Sequence, residues 1–138
     1  MVLAVASLVW ALPAFAQSPL PRTPSPEGVT LYFISPSEGE ALKSPVTVRF
    51  GLSGMGVAPA GVDFAKTGHH HLIVDAVLPA VDAPIPADEH HVHFGAGQTQ
   101  GVLELPPGEH HLQLLLGDKN HIPHDPPVAS ERIQITIE

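Results

Sequence analysis

The amino-acid sequence reads as an all-β protein with very little helix. Sixteen prolines and twelve glycines are spread through the 138 residues, and beyond the first sixteen positions no convincing 3.6-residue apolar period runs uninterrupted by them. Short runs rich in β-branched and aromatic side chains recur between turn residues, as strands do. In two places apolar and polar residues alternate with a period of two, which puts one face of a strand in a core and the other in water. Val46, Val48, Phe50 and Leu52 alternate with Thr47, Arg49, Gly51 and Ser53, and Ile133, Ile135 and Ile137 alternate with Arg132, Gln134, Thr136 and Glu138.

Met1 to Ala16 carries no charge, has an apolar run from Val2 to Leu12 and ends in Ala14-Phe15-Ala16, so it reads as a secretory signal peptide cleaved before Gln17. The run is shorter than the ~20 residues a membrane-spanning helix requires. A periplasmic or otherwise exported product is expected. Residues 17–27, with four prolines in eleven positions, are expected to form an extended spacer rather than a packed element.

One domain follows, over residues 28–138. Val29 to Ile34 is its first strand, closed by the turn Ser35-Pro36-Ser37-Glu38-Gly39, and the alternating segment from Val46 is the second. His70 to Val77, Gly101 to Leu105 and His110 to Leu116 follow, the last two joined by Pro106-Pro107-Gly108. The alternating C-terminal segment is the next strand, and a seventh comes from His91 to Phe94 or from part of Gly54 to Phe64. Gly54 to Gly68 and Pro79 to Glu89 are long surface loops, and loops of that length usually have a task. About seven strands in this pattern predict an immunoglobulin-like or Greek-key β-sandwich.

With 14 acidic and 6 basic side chains the formal charge is -8, and no lysine or arginine run exists, so nucleic acid is not expected as a partner. The absence of cysteine removes disulfides, thiolate metal ligands and cysteine nucleophiles. No Gly-x-Ser-x-Gly elbow, phosphate-binding glycine loop or His-Glu-x-x-His helix occurs, and Gly95-Ala96-Gly97 reads as a turn. No catalytic residue is assigned.

Histidine is the unusual component, with ten residues in four groups: His69-His70-His71, His90-His91 with His93, His110-His111, and His121 with His124. Alternate strand residues share a face about 7 Å apart, so His69 with His71, and His91 with His93, can each offer two imidazoles to one ion. The candidate metal ligands are His69, His70, His71, His91, His93, His121 and His124. His110 is expected on the core side of its strand as a hydrogen-bonded structural residue, with His111 outside beside Gln113. With imidazole and carboxylate donors only, the affinity order of divalent ions places copper first and zinc second. Met55 reads as a gap-filling side chain rather than an axial ligand.

The blocks Gly54-Met55-Gly56-Val57-Ala58-Pro59-Ala60-Gly61, Thr67-Gly68-His69-His70-His71-Leu72, His93-Phe94-Gly95 with Gly97-Gln98-Thr99, Leu105-Pro106-Pro107-Gly108, and Leu116-Gly117-Asp118 through His121, His124 and Pro126-Pro127-Val128 resemble the domain of unknown function 4399 family. The likeness runs from about Tyr32 to the end. It implies an exported bacterial protein with one β domain, and its motifs coincide with His69, His70, His71, His93, His121 and His124. His91-Val92-His93 is also similar to the metal strand of copper,zinc superoxide dismutases, but that family's cysteines and downstream spacing are missing.

The expected function is therefore binding of a divalent transition metal, copper or else zinc, for buffering, tolerance or delivery by a monomer. The alternative is an immunoglobulin-like interaction module with a protein partner in the cell envelope, its association tuned by histidine protonation. A metal-dependent enzyme is the third reading.

Overall fold

The computed structural model describes residues 20–138, so the expected signal peptide lies outside the described residues. Nine strands and no helix are found among them: β1 (Thr30–Ser35), β2 (Ala41–Leu42), β3 (Val46–Ser53), β4 (Gly56–Val57), β5 (Thr67–Val74), β6 (His91–His93), β7 (Gln100–Leu103), β8 (Gly108–Gly117) and β9 (Ile133–Ile137). One sheet has the order β1-β3-β7. The other has the order β2-β9-β8-β5-β4, with β6 also paired to β5. Together they form an all-β, sandwich-like fold. Both places proposed for the seventh strand form strands, as β6 and the two-residue β4.

The period-two patterns explain which faces meet. Val46, Val48 and Phe50 of β3 and Ile133, Ile135 and Ile137 of β9 are buried in one core with Leu31, Leu72, Val74, Phe94, Leu103, Leu112, Leu114 and Leu116. The β5 strand is different, because all of its residues from Gly68 to Val74 are buried. Its Leu72 and Val74 face that core, whereas Ile73 packs with Leu115 and Ile85 in a second, smaller cluster. Both faces of β5 are covered, which is why the segment reads as a continuous apolar and histidine run rather than as an alternation.

Two boundaries differ from expectation. The β5 strand begins at Thr67 and ends at Val74 rather than Val77, because Asp75 turns the chain with φ 54°. The proline-rich segment is not a free spacer where it is described. Residues 22–25 run beside the loop after β8, where Asp125 N–H donates to Thr23 O at 2.9 Å and Ser25 N–H donates to Asp125 O at 2.9 Å. Arg22 reaches the carbonyls of Pro123 and His124 and pairs with Asp125 at 3.2 Å. Proline density correctly marks an extended chain, yet an extended chain can also lie along another segment and bond to it.

Candidate metal centre

Three separate pieces of chain meet on the outer side of the larger sheet. On β5, His69 and His71 project from the face opposite Leu72. On β6, His93 is the direct antiparallel partner of His71, so strand pairing puts the two rings side by side. His121 comes from the turn after β8, where it has φ 65°. That turn is tied at its base. Asp118 Oδ1 accepts the backbone N–H groups of Asn120 and Ile122, and Asp118 Oδ2 accepts the Thr23 hydroxyl at 2.7 Å. Ile85 N–H donates to His121 O at 2.8 Å, which brings the 75–90 loop over the cluster.

The result is a group of four imidazoles whose candidate ligand atoms all lie within 4.8 Å of one another. His69 Nε2 and His121 Nδ1 are 3.2 Å apart. Five of the six ring-centroid separations fall between 4.7 and 5.0 Å, and the sixth, His71 to His121, is 6.1 Å. A point equidistant from the four centroids lies about 3.2 Å from each. An imidazole bound at about 2.0–2.1 Å holds its centroid roughly 3.1–3.2 Å from the ion, so the ring centres stand at the distance that suits one transition-metal ion, and rotation of the rings would draw in ligand atoms that now spread over 4.8 Å. His69 and His71 are fully buried, His121 is half-buried and His93 is exposed, so the cluster opens to solvent on the His93 side.

The electrostatics keep three of these rings, His69, His71 and His93, in the form a metal needs. Burial, then repulsion from His121 and His93, lowers His69 to about 4, against a smaller upward pull from Asp118. Burial and the neighbouring imidazoles lower His71 to about 3. His93 is lowered by burial and by His121. At neutral pH these three rings are therefore unprotonated, with ring lone pairs available as donors.

Two glycines make room for the cluster. A β-carbon on Gly117 would lie 2.7 Å from His71 Cε1, and one on Gly95 would lie 2.3 Å from His93 Cε1. Both residues sit in the quoted sequence blocks, but nothing along the chain distinguishes a glycine needed for turning from one needed for clearance.

Of the seven candidate ligands, the structure brings together His69, His71, His93 and His121. His70, between two of them, faces the opposite side of β5 and stacks at 4.9 Å on Phe50 in the core. His124 is fully buried, and neither of its ring nitrogens nor those of His70 has a hydrogen-bond partner among the described residues. His91 shares the face of His93, but its Nδ1 is bonded to Asp88 Oδ1 at 2.7 Å and it is outside the four-ring group. His110 takes the expected structural role, its two nitrogens 2.7 Å from Asp75 Oδ2 and from Pro106 O. Both partners accept, so the ring donates from both nitrogens. Burial works against that charge, but the Asp75 and Pro106 bonds outweigh it and raise the His110 value.

Residues 48–138 match the family model described as Domain of unknown function (DUF4399). The chain belongs to this family. All four clustered histidines of the DUF4399 domain, and both clearance glycines, fall within the matched residues. No curated protein matches it significantly. Among solved structures, the endo-β-1,4-mannanase from Thermotoga petrophila is similar with a TM-score of 0.48 and 20% identity over 81% of this chain. The chain spans 20% of that enzyme's length.

Proposed function

We propose that this DUF4399 protein binds one divalent first-row transition-metal ion through His69, His71, His93 and His121. The observation that supports the reading is the convergence of four imidazoles from three chain segments, with candidate ligand atoms within 4.8 Å of one another. A structural core rarely gathers mutually repelling bases that lack carboxylate partners, because each costs desolvation and gains little. By donor chemistry alone Cu(II) ranks first and Zn(II) second. The role is metal buffering, tolerance or delivery in an exported, non-enzymatic protein, with His93 as the solvent-facing ligand through which the ion enters and leaves.

The pH-tuned interaction module is less favoured. His69, His70 and His71 have values of about 4, 4 and 3 and stay neutral between pH 7 and 5, so the charge swing is smaller than ten histidines would allow.

Equilibrium dialysis of untagged protein against Zn(II) and Cu(II) tests the proposal. One tight equivalent is expected, abolished in the His71→Ala, His93→Ala double variant. Unchanged binding in that variant, with circular dichroism confirming its fold, would remove the site.

A further inference from the structure

We infer that the four-imidazole centre imposes a non-planar, distorted tetrahedral coordination on its ion, which suits Zn(II) better than Cu(II). The inference rests on the metal-binding reading above and adds the geometry to it. Around the point equidistant from the four ring centroids, five of the six centroid pairs subtend between about 95° and 105°, and His71 with His121 subtends about 145°, so the rings surround that point in a non-planar array with one opened edge, the arrangement from which four-coordinate zinc is approached.

A square plane requires two opposite pairs, both wide. The pair opposite His71 and His121 is His69 and His93, whose centroids are only 5.0 Å apart. Flattening the centre would mean driving these two rings away from each other, and three features resist that. His69 is fully buried on β5, which is paired on both sides. The backbone of His93 is held in register by its strand pairing with His71, so its exposed ring moves only by rotating about its own side-chain bonds. The His71 ring, which anchors one end of the wide pair, lies against Gly117 and is fully buried.

Zn(II) has a filled d shell and accepts a distorted tetrahedron without penalty. Cu(II) prefers a tetragonal plane and loses part of its usual advantage when denied one. The cage therefore narrows, at the level of geometry, a preference that donor chemistry alone would give to copper.

Co(II) is the probe, because tetrahedral and octahedral cobalt differ strongly in visible absorption. Untagged protein is dialysed against Co(II) and against Zn(II), bound metal is measured, and the Co(II) spectrum is recorded. The expected result is one equivalent of each and a shift from faint pink octahedral absorption to an intense, structured band at longer wavelength, bleached when Zn(II) is added. Bound cobalt with only faint octahedral absorption overturns the geometry and leaves metal binding standing. No bound equivalent of either ion overturns both. Cu(II)-loaded protein gives a second readout: an electron paramagnetic resonance spectrum with the narrow parallel hyperfine splitting of a non-planar site supports the inference, and a planar signature opposes it.

Discussion

Gly117→Ala tests whether the cluster is a built site or an accident of crowding. In a strand, exchange of glycine for alanine ordinarily helps slightly, since glycine loses more backbone freedom on folding. Here the added carbon would lie 2.7 Å from His71 Cε1, 3.1 Å from His71 Nδ1 and 3.3 Å from Ile85 Cδ1. Carbon atoms rest at about 3.5–4.0 Å, so the His71 ring must retreat by roughly 0.8 Å or more. Metal-ligand distances tolerate about 0.2 Å, so the ring leaves coordinating position. Retreat of the backbone is blocked because Gly117 is paired with His69 across the β5-β8 ladder. Overpacking of this kind costs about 1–3 kcal/mol. Charged against binding, that is roughly a tenfold to hundredfold loss of affinity, measured by chelator competition for Zn(II). Urea unfolding of the metal-free variant reads the packing cost separately. Gly95→Ala is the contrast, because its new carbon meets the exposed His93 ring, which can swing into water. It is expected to weaken metal binding with little loss of stability. Wild-type affinity in both variants would refute the assignment of His71 and His93 as ligands.

Further outcomes follow from the same structure. The His70 ring is lowered from 6.5 to about 4 by burial, so the folded state binds fewer protons than the unfolded chain. Its contribution favours folding most above pH 6.5 and is lost as pH falls towards 4, by roughly 3 kcal/mol in all. In metal-free protein, His70→Leu should flatten the fall in urea stability between pH 7 and 5; an unchanged slope would contradict this. The His110 value is raised and that of Asp75 is lowered: burial opposes the Asp75 charge, but its bonds to the His111 backbone N–H and the His110 ring outweigh it. The His110 contribution is complete below pH 6.5 and lost as pH rises through the folded value. That of Asp75 is present above 3.8 and lost as pH falls through its own. Asp75→Asn should therefore destabilise more at pH 5.5 than at pH 9 in thermal melts, and equal losses would argue against the pair. Thr23→Val removes the hydroxyl bond to Asp118 at the base of the His121 turn. It should cost about 1 kcal/mol and speed metal release in a stopped-flow chelator assay. Release at the wild-type rate would mean that the N-terminal segment does not steady His121.

The strands were legible wherever one face is wet. Residues 46–53 and 133–137 alternate because water on one side and core on the other select opposite residue types, and their positions are as expected. The run from His70 to Val77 marks β5 but lies three residues late at each end, since with both faces buried neither periodicity nor polarity marks a limit and a positive φ at Asp75 does. Residues 22–25 read as a spacer because their bonds to residues 118–126 are long-range, and local composition contains no record of distant partners. Among the histidines, strand parity correctly paired His69 with His71 and set His110 on the core side. The same parity placed His91 with His93, but Asp88 holds the His91 ring in a separate contact.

Taken alone, the sequence determined a small β domain, its family likeness, its lack of thiolate donors and a supply of imidazoles far above ordinary need. Those properties depend on residue identity and on neighbours one or two positions away. Tertiary structure decided which four imidazoles converge, that two glycines give them clearance, and that their array is not planar. Antiparallel pairing of His71 with His93 and the turn carrying His121 join residues up to 52 positions apart. Such distances are set by register and by loop closure, so the shape of the centre exists only once the sheet has formed.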